Sequence, residues 1–346
     1  MNARFDISTL EAIPLPALFV DADARVAGAN ERAIAIQPRA RQDLPLVLVF
    51  RHPGLRTAVE NCLQSKTSQQ TVYHHSEGPQ EYRFDVSCAS VKDGDGYGAL
   101  VCFRDVSEVQ QLDQMRRDFI ANVSHELRTP LTAILGFIET LQGPARDDPA
   151  AQARFLNIMS AEASRMNRLV GDLLSLSKVV EVSRMRPTSM VDIDGIIRTA
   201  LRNLTPLAED ASSTLSYEAP TAGIEIPGDA DQLMQVVTNL LENAIKYGGA
   251  NTEIQISLTE TDRDRGVRGP AVVLNVADNG PGIDQIHIPR LTERFYRIDS
   301  HRSREMGGTG LGLAIVKHII NRHRGRFSIS SELGKGSEFR VVLPKS

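Results

Sequence analysis

Long apolar runs are missing from this chain. The two longest, at residues 12–20 and 44–50, fall far short of the ~20 residues a helix needs to cross a bilayer, and prolines break the first. No secretory leader opens the sequence either. The expectation is a chain without a membrane span, working in the cytoplasm. Met1 stands close against the first folded segment, so an anchor removed from upstream, holding the chain at the cytoplasmic face of the inner membrane, stays open. Cysteine is scarce. Cys62, Cys88 and Cys102 are odd in number, confined to the first third and without a C-x-x-C pair, which reads as reduced core residues. A surplus of charge is also lacking: the net charge is −4, which excludes the footprint of a nucleic-acid binder and leaves a protein or small molecule as partner. What is present is 346 residues at 41% apolar and 24% charged, enough for two or three globular domains.

The first domain is expected at residues 1–105. Residues 18–21 and 25–28 flank a turn at Asp21 to Ala24 and read as a hairpin. Further strands at 81–90 and 99–104 flank the turn Asp93-Gly94-Asp95-Gly96, with a helix near 55–63 between hairpin and strands. A mixed α/β module fits. From 106 to 141 the pattern changes. Val109, Leu112, Phe119, Val123, Leu127, Leu131, Ile134, Ile138 and Leu141 recur at helical intervals, and a second stripe runs through Phe155, Ile158, Glu162, Met166, Leu169, Leu173 and Leu176. Gly143-Pro144 and Asp147-Asp148-Pro149 separate them, so residues 106–182 are expected to form a helical hairpin. Each stripe of a lone hairpin is buried on one side only. Pairing two copies into a four-helix bundle resolves this, and a homodimer is expected. Residues 187–346 alternate helix and strand. Helices are expected at 191–204, at 230–247 behind an Asp229 cap, and at 311–321; strands at 214–218, 223–226, 253–259 and 272–277; and a closing hairpin around Gly334-Lys335-Gly336. The long irregular stretch between residues 278 and 311 reads as a functional lid or as disorder.

In the first long helix stands Phe119-Ile120-Ala121-Asn122-Val123-Ser124-His125-Glu126-Leu127-Arg128-Thr129-Pro130-Leu131. At about 100° per residue, His125 lies roughly 200° from Val123 and Leu127, away from the apolar stripe. An exposed imidazole is a nucleophile near neutral pH. Glu126 is placed to orient it and take its proton, Thr129 to hold a water one turn on, and Pro130 to bend the helix by depriving the Glu126 carbonyl of its partner. A histidine on its own would more often be an ordinary surface residue.

Three further clusters suit a nucleotide. Asn239, Asn243 and Lys246 fall within about 60° on one side of a helix, where amide oxygens suit Mg²⁺ and an ammonium suits phosphate. Asp278-Asn279-Gly280-Pro281-Gly282-Ile283 follows a strand, placing a carboxylate for the adenine amine beside glycines that admit a flat ligand. Gly307-Gly308-Thr309-Gly310-Leu311-Gly312-Leu313 opens a helix whose free N–H groups fit phosphate. Singly these are a polar helix face, a turn and a weak glycine loop lacking the G-K-[ST] ending of a Walker motif.

Taken together they resemble a known family. The run from Phe119 to Leu131 resembles the H-box of sensor histidine kinases. Asn239 to Tyr247, Asp278 to Ile283, Glu293-Arg294-Phe295-Tyr296-Arg297 and Gly307 to Leu313 resemble, in order, the N, G1, F and G2 boxes of the kinase ATP-binding domain of the GHKL (Bergerat) type. Asp105-Val106-Ser107-Glu108 resembles the end of a PAS domain, and the stretch from Phe295 into the glycine loop is similar to the phosphate-regulon sensor kinases. The resemblance implies a multidomain α+β chain: a PAS-like module, a dimeric helical hairpin and an α/β sandwich. It implies phosphorylation of His125 from Mg-ATP with Glu126 as base, then transfer to the aspartate of a response-regulator receiver domain. Thr129 would serve dephosphorylation of the regulator. The implied nucleotide site places Asn243 on Mg²⁺, Lys246 and Tyr247 on the nucleotide, Asp278, Gly280 and Gly282 at adenine, and Gly308, Gly310, Leu311 and Gly312 at the phosphates. Arg297 would offset charge on the transferred group, within a lid also carrying Arg290, Arg294, Arg302 and Arg304. In related ATPases a glutamate activates water where Asn239 stands here, so fast hydrolysis is not expected. The competing readings are a nucleotide-switched protein that binds or dephosphorylates a regulator, and a simple ATPase.

Overall fold

The computed structural model describes residues 6–40, 43–78, 80–93, 96–181, 186–218, 223–249, 251–264, 266–267, 269–298 and 308–345. Two compact units divide the chain, Met1–Ala121 and Asn122–Ser346.

The first unit is an antiparallel sheet with helices over its inner face. In chain order it runs β1 (Ala17–Val20), β2 (Arg25–Ala29), α1 (Glu31–Ile36), β3 (Leu44–Pro45), α2 (Leu46–Val49), α3 (Pro53–Ser65), β4 (Gln69–Glu77), β5 (Gln80–Asp93) and β6 (Gly96–Asp105). The strand order is β3-β2-β1-β6-β5-β4. The β1–β2 hairpin pairs Leu18 with Ala29 and Phe19 with Gly28, as its alternation suggests. Gly94 and Asp95 of the β5–β6 turn lie outside the described residues, but the pairing of Asp93 with Gly96 brackets them. Strand β4 carries little sequence signal, because most of this edge strand is polar and, among its described side chains, Tyr73 alone is nearly fully buried. Asn30 caps α1 from a fully buried position: its Oδ1 accepts from Ala17 N (3.0 Å) and Ala33 N (2.9 Å), and its Nδ2 donates to Leu10 O (3.1 Å) and Leu15 O (2.8 Å). Every hydrogen-bonding group of that amide is used, which is what its burial requires. Cys62 and Cys88 are buried, Cys102 is half-buried, and all three are free thiols. Burial pushes the Cys88 thiol up to about 12, so it stays protonated and inert.

Helix α4 (Ser107–Gln142) and helix α5 (Pro149–Glu181) form the hairpin. Ala145 N bonds back to Thr140 O (2.9 Å) to close α4, while Asp148 Oδ1 accepts from Ala150 N and Ala151 N, both at 3.0 Å, to open α5. Phe137 and Phe155 stack across the hairpin at 5.1 Å. Helix α4 continues through Pro130, and Thr129 Oγ1 donates to the His125 carbonyl (3.1 Å) one turn back. Apolar side chains remain uncovered along the hairpin in a single chain: Leu131 of the first stripe and, beside the stripes, Leu135, Leu156, Val170 and Leu174 are 43–58% exposed.

Among the described residues the remainder of this unit is a mixed five-stranded sheet, a separate two-stranded pair and three α-helices. It comprises β7 (Met190–Asp192), α6 (Ile193–Asp210), β8 (Thr214–Glu218), β9 (Glu225–Pro227), α7 (Ala230–Gly248), β10 (Glu253–Asp264), β11 (Gly269–Asp278), α8 (Gly312–Arg322), β12 (Arg326–Glu332) and β13 (Gly336–Pro344). The order is β12-β13-β11-β10-β8, with β8 parallel to β10 and the other neighbours antiparallel. Residues 191 and 192, expected as helix, are strand: Val191 pairs with Ile226, and Asp192 in an extended conformation precedes the first helical turn. Asp229 caps α7 as expected, its Oδ1 accepting from Gln232 N (3.2 Å). Buried apolar positions of α6, α7 and α8 face the sheet residues Ile254, Ile256, Leu274 and Val276 in one core, so α7 is held rigidly with its polar side outward.

Candidate phosphotransfer and nucleotide site

His125 is exposed on α4, away from the hairpin seam, as the helical phase of the sequence predicts. Its neighbour Glu126 is turned the other way. Glu126 Oε2 accepts from Arg165 on α5 (2.8 Å) and is met by Arg297 (3.4 Å) at the entry to the lid. Arg165 also lies 3.7 Å from Glu162. Arg297, with only 8% of its side chain exposed, additionally donates to the Gly308 carbonyl at the far end of the lid. Burial pulls the Arg297 guanidinium down from its usual range, and the carboxylate of Glu126 pushes it back up. Its Nε is buried with no hydrogen-bond partner among the described residues. Such an orphaned, charged donor fits an anionic oxygen.

A second bridge joins the hairpin to the glycine loop. Thr309 Oγ1 donates to Asp172 Oδ2 on α5 (2.7 Å) and accepts from Leu311 N (3.3 Å). Desolvation raises the Asp172 carboxyl above its usual range, and the Thr309 bond works against that. Neither Arg165 nor Asp172 was singled out by sequence. Their spacing on α5 carries no motif, and only the folded contacts reveal them.

The nucleotide candidates converge around α7 and the ends of the lid. Asn239 Nδ2 donates to the Gly312 carbonyl (3.4 Å) and ties α7 to the glycine loop. Asn243 is half-buried and its side chain engages no hydrogen bond among the described residues, leaving its amide oxygen available to a cation. Lys246 is bonded to Glu242 one turn away, and Tyr247 is 40% exposed at the helix end. Asp278 closes β11. Its Oδ1 accepts from Gly280 N (3.0 Å), and desolvation raises its pKa from the ordinary carboxylate value. A cleft of about 470 Å³, lined in part by Asp278, Ser331 and Ser337, opens beside it.

The loop after Asp278 is built against the terminal hairpin β12–β13. Gly282 has φ +70°, and a Cβ there would collide with the Glu332 carbonyl, so only glycine lets the two backbones meet. Ser331 supplies the anchor: its Oγ accepts from Ile283 N (2.7 Å) and donates to the Gly336 carbonyl (2.7 Å). Gly334 N also donates to Pro281 O (2.8 Å).

At the other end, Gly310 has φ +71°, and a Cβ would stand 2.9 Å from Phe295. Phe295 N donates to Gly310 O (2.8 Å) and itself adopts φ +63°, a conformation that costs energy for an aromatic residue. Strain of this kind is held only where surrounding contacts impose it. Helix α8 begins at Gly312 without a side-chain cap, so its first N–H groups face the lid mouth, a setting suited to phosphate. Gly307, Arg302 and Arg304 lie outside the described residues; Arg290 pairs with Glu293 (3.3 Å). Among the described residues no cluster of three or more acidic, histidine or cysteine side chains forms a metal cage, and no helix is long and apolar enough to cross a membrane.

Three family descriptions match in series. Residues 10–111 match the PAS fold, residues 115–181 the His Kinase A (phospho-acceptor) domain, and residues 228–346 the histidine kinase-, DNA gyrase B-, and HSP90-like ATPase. The chain is 42% identical over 240 residues to the phosphate regulon sensor protein PhoR of Pseudomonas aeruginosa, covering 69% of this chain and 52% of that one. It is 38% identical over 253 residues to the sensor-like histidine kinase SenX3 of Mycolicibacterium smegmatis, covering 73% and 64%. It is 32% identical over 329 residues to the sensor protein kinase WalK of Staphylococcus epidermidis, covering 94% and 53%. The chain thus spans between half and two thirds of the length of these relatives. The crystal structure of histidine kinase ThkA in complex with response regulator protein TrrA shares the fold, with a TM-score of 0.53 at 21% identity over 99% of both chains. With the PAS, phospho-acceptor and ATPase domains in this order and these relatives alongside, the chain belongs to the sensor histidine kinases.

Proposed function

We propose that this chain phosphorylates itself on His125 from Mg-ATP and passes the phosphoryl group to an aspartate on a response-regulator receiver domain. The observation that carries the reading is the Glu126–Arg297 contact, which links the exposed histidine's neighbour to the lid arm of the ATP-binding fold. In the reaction one imidazole nitrogen of His125 attacks the γ-phosphorus, the bond to the bridging oxygen breaks, and ADP leaves with its electrons. Glu126 accepts the proton from the other ring nitrogen, which requires it to exchange its arginine partners for the imidazole. Arg297, freed of Glu126, turns its fork to the charge growing on the transferred group. Asp278 accepts from the adenine amine, Gly280 and Gly282 admit the base, and Lys246 and Tyr247 flank the nucleotide. Gly308, Gly310, Leu311 and Gly312 present backbone N–H groups to the phosphates, and Asn239 holds that loop to α7. Asn243 is the protein ligand for Mg²⁺, which when bound neutralises phosphate charge. Thr129 serves the reverse task, placing water for dephosphorylation of the regulator.

The reading extends to domain limits at residues 1–105, 106–182 and 187–346 and to a homodimer through the exposed leucines of α4 and α5. It places the chain in the cytoplasm, or at the cytoplasmic face of the inner membrane where a longer protein supplies an anchor. A regulator partner is in keeping with the ThkA–TrrA complex. The test is incubation with γ-labelled ATP and Mg²⁺. Acid-labile, base-stable label is expected on the wild type and none on His125→Gln; label surviving that substitution would overturn the assignment.

A further inference from the structure

The interior of the first unit is filled by rings. Phe50, Tyr73, Phe84 and Phe103 pack with centroids 5.3–6.2 Å apart across the space between the sheet and its helices. A cleft of about 360 Å³ opens instead at the surface, where the segment after α1, the end of α2, the start of α3 and edge strand β4 meet. Four of its lining side chains are basic: Arg39, Arg51, His52 and His74. No carboxylate lines it. Among the described residues neither Arg39 nor Arg51 enters an ion pair.

In a chain whose net charge is −4, a pair of guanidinium groups in a cleft without a carboxylate runs against the overall balance. It carries a Coulomb cost that a bound anion removes. The helix adds to the same field. Helix α3 has 13 residues and starts in the cleft wall, with Pro53 at its first position. His52 caps it, Nδ1 accepting from Leu55 N (3.2 Å), so the proton of the neutral ring sits on Nε2 as a donor. Val49 and Tyr73, both nearly fully buried, form an apolar floor. Paired guanidinium forks and imidazole donors over such a floor match a small organic or inorganic oxyanion.

We infer that this cleft is a binding site for a compact oxyanion carrying two or more carboxylate or phosphate charges, gripped by Arg39 and Arg51 with His52 and His74 as further donors. The site is linked by packing to the output helix. Tyr73 touches Phe103 on β6 at 5.8 Å, and β6 runs directly into α4. There Asp105 Oδ1 accepts from Ser107 N (2.8 Å), and Ser107 Oγ accepts from Arg83 N (2.8 Å). Filling the cleft therefore bears on the root of the helix that carries His125.

The site shares no residue with the nucleotide site, so its test stands independently of the phosphotransfer reading. Calorimetric titration of the full chain, with Mg²⁺ and a non-hydrolysable ATP analogue filling the nucleotide site, would use inorganic phosphate, citrate and malate in turn at ~0.15 M salt. Saturable binding at one ligand per chain is expected for at least one of them. A response to phosphate alone names phosphate or its esters, and a response to citrate or malate names a carboxylate metabolite. The double variant Arg39→Gln/Arg51→Gln should weaken that binding at least tenfold while binding the ATP analogue as before; both side chains are exposed, so the fold is not threatened. No saturable binding of any probe, or equal affinity in the double variant, would overturn the proposal.

Discussion

Glu126 is pulled in two directions. Next to His125 it is the only carboxylate of the phospho-acceptor run, yet its oxygen is held by Arg165 and Arg297, both largely buried. A carboxylate oxygen held by two arginines is not free to meet the imidazole until one of them leaves. Glu126→Ala should therefore slow autophosphorylation roughly 100-fold, the scale of a lost general base, with ATP affinity kept within about twofold. Unchanged labelling kinetics would remove Glu126 from that role. A second residue ties stability to pH. His323 is 1% exposed, with Nε2 accepting from Asp229 N (3.0 Å) and Nδ1 donating to Ile319 O (2.8 Å). Protonation would turn the Nε2 acceptor into a donor facing another donor, and burial lowers its pKa below the ordinary 6.5. The unfolded chain then binds the proton more readily, so this contribution is present above about pH 6.5 and is lost as pH falls through the lowered folded value. Thermal unfolding of the wild type should drop over that window, and a His323→Gln variant should lose that part of the slope; identical slopes would exclude His323 as the cause.

At the scale of elements, the closing hairpin β12–β13 acts as a clamp on the loop after Asp278. Ser331 on β12 satisfies Ile283 N, and the close approach at Gly282 leaves the loop no alternative position. Ser331→Val leaves that donor buried and unpaired, at about 1–3 kcal/mol. The loss should raise the KM for ATP roughly tenfold with little change in kcat, and Ser331→Thr should restore it. Equal loss of both parameters would mean the hairpin merely supports the fold. The sequence showed both halves of this device, a D-x-G-x-G turn and a terminal hairpin, but nothing in it joined them. The serine sits in an unremarkable strand, and its role exists only through a partner 48 residues away. Helices α4, α5 and α7 were readable because their apolar positions recur at helical spacing. Strand β4 and the three residues of β7 were not, since a polar edge strand and a short bridge draw their order from neighbours rather than from their own pattern.

On the scale of the whole molecule, one chain leaves apolar side chains along its hairpin uncovered. Burying a leucine is worth roughly 2 kcal/mol, and Leu131, Leu135, Leu156, Val170 and Leu174 stand exposed along α4 and α5. Leu135→Glu should weaken the dimer at least roughly 30-fold, the equivalent of that one burial, and sedimentation velocity should show monomer at micromolar protein. A dimer that persists unchanged would move the interface elsewhere. By itself the sequence determined the order of the three domains, the position of His125 on the outer side of its helix and the residues grouped on α7, because periodicity and local turn chemistry are properties of neighbouring residues. The tertiary structure alone decided that Arg165 and Arg297 hold Glu126, that Asp172 receives Thr309, and that Arg39, Arg51, His52 and His74 share one cleft. Those groups come from segments far apart in the chain, and charges interact over a few ångströms of space, whatever length of chain lies between them.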